Sequence, residues 1–170
     1  TLLMAAAHSG HERLVELLLR HGAEIKLQDS DGWTALMHAA SQGHERVVEL
    51  LLRHCAEINL QNGDGGTALM YAALFNHPAV VRRLLRAGAD TAARNASGKT
   101  ALMDAAVRGR EQLVDLLLRH GAEVNFQSSN DLTALMCAAS QGHPAVVRRL
   151  LRAGADTAAR TVIGKTALQM

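Results

Sequence analysis

Histidine is the most abundant chemically versatile residue in this chain, with nine copies. Imidazole can bind a metal or move a proton near neutral pH, so their spacing is informative. His11, His44, His77 and His143 fall on one 33-residue grid, and His21, His54 and His120 on another. A metal site needs several donors converging on one point, whereas these mark a register and form no compact cluster, so no metal is expected. Cys55 and Cys137 are the two cysteines. If packed layers advance roughly 10 Å per helix pair, their separation far exceeds disulfide reach. Two free thiols fit a reduced, cytoplasmic compartment. Gly63-Asp64-Gly65-Gly66 is glycine-rich but lies in a turn rather than between a strand and a helix, which argues against a phosphate loop. No nucleophile sits at a spacing that pairs it with a base. The expectation is therefore a chain without catalytic residues or cofactor.

The grid that orders the histidines orders everything else. Thr34-Ala35-Leu36-Met37 recurs from Thr67, Thr100 and Thr133 at 33-residue intervals, with Thr1-Leu2-Leu3-Met4 and Thr166-Ala167-Leu168-Gln169 in the same register. A fixed period of this size predicts a solenoid of stacked units, and the two helices read from the unit 29–61 below make the expected fold all-α. The expected organisation is one array over 1–170. Residues 1–28 form a partial repeat; 29–61, 62–94, 95–127 and 128–160 are full repeats; 161–170 open a further one. Thr1 begins inside a repeat, so the natural N-terminus is expected to lie upstream. With only four aromatic residues, the core must be Leu, Val, Ala and Met.

The unit 29–61 shows how each copy folds. Asp29-Ser30-Asp31-Gly32 is a turn signal, and Thr34 is placed to cap the helix that follows. Leu36, Met37, Ala39 and Ala40 supply its buried side, and Gly43 stops it in the left-handed region. A second helix after His44 buries Val47, Val48, Leu51 and Leu52. Pro78 and Pro144 replace Glu12, Glu45 and Glu111 at the start of this helix, where proline sacrifices no hydrogen bond. Asn76 replaces a stop glycine, a mild exchange. Cys55 replaces the glycine after the second helix and predicts strain or a rewound cap. Asp131 replaces a turn glycine, so that loop is expected to bend differently.

These units resemble ankyrin repeats along the whole chain. The unit 29–61 supplies Asp29, Gly32, Thr34, Leu36, Ala39, Ala40, Gly43, His44, Val47, Val48, Leu51, Leu52, Ala56 and Asn59 in the family's register. Ala35, Ala68, Ala101 and Ala134 depart from the family's usual proline, and Met37, Met70, Met103 and Met136 from its usual histidine. Loss of that histidine is expected to weaken hydrogen bonding between neighbouring turns, offset by methionine packing. The resemblance implies L-shaped units of two helices and a projecting hairpin-like loop, with loops and first helices lining a concave face that binds a protein partner. It also implies Asn59 and Asn125 as candidate asparaginyl hydroxylation sites, with loop stabilisation as the simpler role.

Scaffold positions repeat almost unchanged, whereas loop tips and the outward side of the first helix differ between copies. The outward positions are expected to be His38, Ser41 and Gln42; Tyr71, Leu74 and Phe75; Asp104, Val107 and Arg108; and Cys137, Ser140 and Gln141. Variation confined to one face predicts a binding surface, although drift at solvated positions would look the same. Trp33, Tyr71, Leu74 and Phe75 form the expected hot spot, with Asp31, Asp64, Lys99, Asp104 and Arg108 setting polar specificity. Phe126 is assigned to packing at a loop base.

A net charge of +2 and loop tips of alternating sign exclude a continuous basic track for nucleic acid. The arginines at 82, 83, 86, 148, 149 and 152 are assigned to a solvated outer face. No apolar run approaches the length of roughly 18 residues that spans a bilayer, so no membrane partner is expected. The competing expectations are self-association through the patch or the open repeat ends, an engineered array without a natural partner, and the targeting part of a larger protein with its catalytic domain elsewhere.

Overall fold

The computed structural model describes residues 1–169. Ten α-helices and a 3₁₀ turn, and no strand, occur among them. They are α1 (Leu2–His8), α2 (Glu12–Arg20), α3 (Ala35–Gln42), α4 (Glu45–Arg53), α5 (Ala68–Leu74), α6 (Pro78–Arg86), α7 (Ala101–Val107), α8 (Glu111–Arg119), α9 (Ala134–Ser140) and α10 (Pro144–Arg152), with the 3₁₀ turn at Ala167–Gln169. The chain divides into two compact units, Thr1–Asp90 and from Thr91 onward. In the first, α1, α3 and α5 pack in one row and α2, α4 and α6 in a second. In the second, α7 packs on α9 and α8 on α10, and α9 also carries the 3₁₀ turn.

The repeated tetrapeptide does the same work in every copy. The hydroxyls of Thr1, Thr34, Thr67, Thr100 and Thr133 accept from the backbone N–H three residues on, at 3.2, 3.2, 3.3, 3.4 and 3.3 Å. This satisfies one of the orphan donors of a helix start. The four internal threonines are themselves buried, which is affordable only because the hydroxyl is paired. Behind them Leu36, Met37, Leu69, Met70, Leu102, Met103, Leu135 and Met136 are buried in the core.

The second helices have no side-chain cap at their N-terminus; on α4, α6 and α10 the histidine there reaches across to the preceding repeat instead. Nε2–H of His44 donates to the His8 carbonyl at 2.9 Å, that of His77 to Ser41 at 2.9 Å, and that of His143 to Val107 at 3.1 Å. Each ring then lies against the glycine that stops the preceding first helix. A Cβ on Gly43 would stand 2.4 Å from His77, and one on Gly10 2.6 Å from His44. The histidine and the glycine are thus two halves of one inter-repeat joint. At the other end of the second helix, Nδ1–H of His21, His54 and His120 donates to the carbonyl four residues back. The same carbonyl also accepts the backbone N–H of that histidine, so ring and backbone share one acceptor in the last turn.

Four expectations need correction. Ser41 and Cys137 are buried rather than outward, at 5 % and 6 % exposure. The Ser41 hydroxyl turns back to donate to the His38 carbonyl, and the His77 ring bonds to the carbonyl of Ser41 itself. Cys137 is small where His38 and Tyr71 project, so it sinks between its neighbours. The Asp131 loop does not bend differently. Asp131 adopts φ 57° and its N–H donates to Ser128 at 2.9 Å, as Gly32 donates to Asp29 at 3.0 Å. Neighbouring loops are also hydrogen-bonded despite the missing histidine. Gln28 donates to the Gln61 carbonyl at 3.0 Å, Arg94 to that of Gln127 at 2.7 Å, and Gln127 to that of Arg160 at 3.5 Å. Backbone bonds from Gly63 to Asp31 at 2.8 Å and from Ser129 to Ser97 at 3.0 Å join the tips. Finally, two of the outer arginines are not merely solvated. Arg83 meets Glu45 at 2.7 Å and Glu49 at 3.2 Å, and Arg149 meets Glu111 at 2.9 Å and Asp115.

Candidate functional site

The candidate surface of the first unit is assembled around one carboxylate. Oδ1 of Asp29 accepts from the backbone N–H of Asp31 at 3.0 Å and of Trp33 at 2.8 Å, which closes the loop as an Asx turn. Oδ2 lies 3.2 Å from Nε2 of His38 on α3. Asp29 therefore fixes both the backbone of Trp33 and the ring of His38. Burial alone would raise its pKa, but the bonds from Trp33, His38 and Asp31 outweigh it, and the carboxyl is held below its usual range.

Four rings follow from that anchor. Trp33 stacks on Tyr71 with centroids 4.1 Å apart and planes at 30°. His38 flanks Trp33 at 5.1 Å, and His8 meets His38 edge-on at 5.7 Å. Tyr71 is positioned from the next loop. Buried Asn62 accepts from the Gly66 N–H at 2.7 Å and donates through Nδ2 to the Tyr71 hydroxyl at 2.7 Å. Gly66 stands where the preceding copy has Trp33, and a Cβ there would lie 2.6 Å from the Tyr71 hydroxyl. The glycine makes room for the ring. Leu74 and Phe75 continue from Tyr71 along α5, and Phe75 is 53 % exposed. Stacked rings contribute about 0.5–1.5 kcal/mol beyond their buried area, so the cluster is held open to solvent without being loose.

Asp31 and Asp64 occupy adjoining loop tips, joined by the Gly63-to-Asp31 backbone bond. Both are exposed, and their carboxylates have no hydrogen bond or ion pair among the described residues.

The second unit places different chemistry at the same register. Oδ1 of Asn95 accepts from Ser97 at 3.0 Å and Lys99 at 2.9 Å, setting Lys99 in the Trp33 position. Asp104 takes the place of His38 and Tyr71. Burial pushes its carboxyl pKa up, and Lys99 and Arg108 pull it only part of the way back. The Cys137 thiol is likewise pushed up by burial, with Lys99 opposing and Asp104 adding to the shift. A thiol held protonated is a poor nucleophile. Lys99, Asp104 and Arg108 thus form a local group of mixed charge.

The roles of Asp29, His38, Asn62 and Gly66 were not visible as a site in the sequence. The available signal was the repeated Asx, Ser or Thr at 29, 62, 95, 128 and 161, each of which closes its loop through a side-chain oxygen. Phe126 lies under the Arg94 guanidinium at 5.9 Å, consistent with a loop base. Asn59 uses both ends of its amide to bridge to the next loop, donating to Gly88 at 3.5 Å and accepting from Asp90 at 2.9 Å. Asn125 does the same with Gly154 at 3.2 Å and Asp156 at 2.8 Å.

Away from these faces, a groove of about 360 Å³ runs along the outer helices between Glu12, Glu16, Arg46 and Arg53. Its charged walls suit water. Among the described residues no group of His, Cys, Asp or Glu could hold a metal ion, and no helix is long and apolar enough to cross a membrane.

A family model described as ankyrin repeats matches the chain in three overlapping stretches, residues 2–95, 54–128 and 81–161. Comparison with curated proteins gives no match.

Proposed function

Because this chain belongs to the ankyrin repeats, a family of protein-interaction modules, we propose that it is a non-enzymatic scaffold binding a partner protein on its loop and first-helix face. The stacked Trp33–Tyr71 pair, continued by exposed Phe75, carries the reading. Large rings half-open to solvent and held in place by buried hydrogen bonds are the usual anchors of an interface. Trp33, Tyr71, Leu74 and Phe75 supply apolar contact. Asp31 and Asp64 in the first unit, and Lys99, Asp104 and Arg108 in the second, set polar specificity. The repeat boundaries proposed are 1–28, 29–61, 62–94, 95–127, 128–160 and 161–170, the last including Met170, outside the described residues. A cytoplasmic location goes with this reading.

The test is affinity capture with the chain against its Trp33→Ala/Tyr71→Ala variant, with circular dichroism verifying that the variant stays helical. Loss of specific partners from the variant is expected; an unchanged partner list would sink the patch.

Self-association is a second reading, favoured by Val162 and Ile163, which are 66 % and 73 % exposed. Sedimentation at several concentrations separates the two, because a strict monomer excludes it. Asn59 and Asn125 are proposed as hydroxylation sites. Intact mass after exposure to an asparaginyl hydroxylase should gain an oxygen, and an unchanged mass would dispose of the idea.

A further inference from the structure

We infer that the aromatic face of the first unit takes an arginine side chain from an extended segment of its partner, with an apolar residue following about three positions later. This rests on the interface reading above and adds the partner's chemistry to it. The charge balance of the face is one-sided. The two loop tips, 28–33 and 61–66, and helices α1, α3 and α5 carry Asp29, Asp31 and Asp64 but no Lys or Arg. Asp29 is consumed internally by Trp33, His38 and Asp31. Asp31 and Asp64 are exposed on tips that the Gly63-to-Asp31 bond holds side by side.

Two residues after Asp31 on the same tip comes Trp33, stacked on Tyr71, and beyond that pair come Leu74 and exposed Phe75. A cation that binds here must tolerate an aromatic wall on one side and carboxylates at its head. Arginine meets both demands. Its aliphatic stem packs on apolar surface while its head stays in water. Its weakly hydrated, planar guanidinium matches carboxylates in a way the lysine ammonium does not. From Tyr71 to Phe75 the helix advances about 6 Å. With the reach from the loop tips to Tyr71 added, an extended segment needs about three residues to pass from the acidic end to Phe75. An acidic partner segment would meet uncompensated carboxylates at the same place.

The probe is a random displayed peptide library, selected on the full chain, with Trp33→Ala/Tyr71→Ala and the surface-only Phe75→Ser as the two aromatic variants for comparison. Selected peptides carrying a fluorescent label are then titrated in solution by anisotropy, a readout that survives removal of Trp33, the chain's single tryptophan. Enrichment of arginine followed by an apolar residue is expected. Asp31→Asn/Asp64→Asn should weaken those peptides by about three- to tenfold at low salt, and the loss should shrink as salt rises. Peptides lacking arginine, or binding unchanged by the double Asn variant, would overturn the arginine assignment while leaving the aromatic interface standing. Binding unaffected by both aromatic variants would overturn the two together.

Discussion

Cys55 holds a backbone angle of φ 63° at a position where Gly22, Gly88, Gly121 and Gly154 all have positive φ. The hydrogen bonds around it, Cys55 to Leu52 at 3.1 Å and Ala56 to Leu51 at 3.0 Å, repeat those around Gly22. The helix has therefore not rewound to spare the side chain; the side chain bears the strain. A left-handed L-residue costs roughly 1–2 kcal/mol. Glycine would remove that cost but return about 0.4–1 kcal/mol of entropy to the unfolded chain. Cys55→Gly should thus stabilise by about 0.5–1 kcal/mol, and urea denaturation showing no gain would contradict the strain. Gly43→Ala has the opposite sign. It adds a Cβ 2.4 Å from His77 to a residue at φ 76°, so a loss above about 1 kcal/mol is expected in the same assay.

Two carboxyls titrate in opposite directions. Asp29 has its pKa lowered in the fold by the bonds from Trp33, His38 and Asp31, which overcome its burial. Its contribution is present above the unfolded pKa and is lost as pH falls through the folded value. Asp104 has its pKa raised by burial, so the folded state binds its proton more tightly than the unfolded one. Stability from this residue is greatest in acid and falls as pH rises through the folded value. Asp29→Asn should therefore flatten the loss of stability on acidification, and Asp104→Asn should raise stability at neutral pH. Melting curves across pH 3–7 for both variants read these signs, and parallel curves for variants and parent would refute both.

At the scale of the element, the first helices depend on a single hydroxyl each. Thr100 is 1 % exposed and accepts from Met103 at 3.4 Å. Thr100→Ala should cost about 1–2 kcal/mol and Thr100→Ser much less, because the serine oxygen can cap in the same way. Chemical denaturation that ranked the two equally would show that the methyl, not the hydroxyl, carries the site. These helices were legible in the sequence because cap, apolar pair and stop glycine recur at fixed offsets. The rings were not. Trp33, Tyr71, Leu74 and Phe75 could be placed on one face by register. That Trp33 stacks on Tyr71 depends on Gly66, Asn62 and Asp29, none of which differs in kind from an ordinary turn residue. Ser41 and Cys137 were misplaced for a related reason. Register assigns a position to a face, but the size of neighbouring side chains decides whether a small residue there reaches solvent.

At the scale of the molecule, every joint described above links one repeat to the next. His44 reaches His8, Arg83 reaches Glu45, Asn125 reaches Gly154 and Arg149 reaches Glu111. Stability built from such joints is nearly a sum of local terms, and damage should spread only as far as the neighbouring interfaces carry it. Leu36 is a suitable place to test this, being 2 % exposed in the first unit. Leu36→Ala should cost about 2–5 kcal/mol. Amide hydrogen exchange should then lose protection in α3 and in α1, α4 and α5, which pack against it. Helices α9 and α10 should exchange as in the parent, because local opening there need not pass through the damaged repeat. Equal loss of protection in α3 and α10 would mean that the chain opens as one cooperative body.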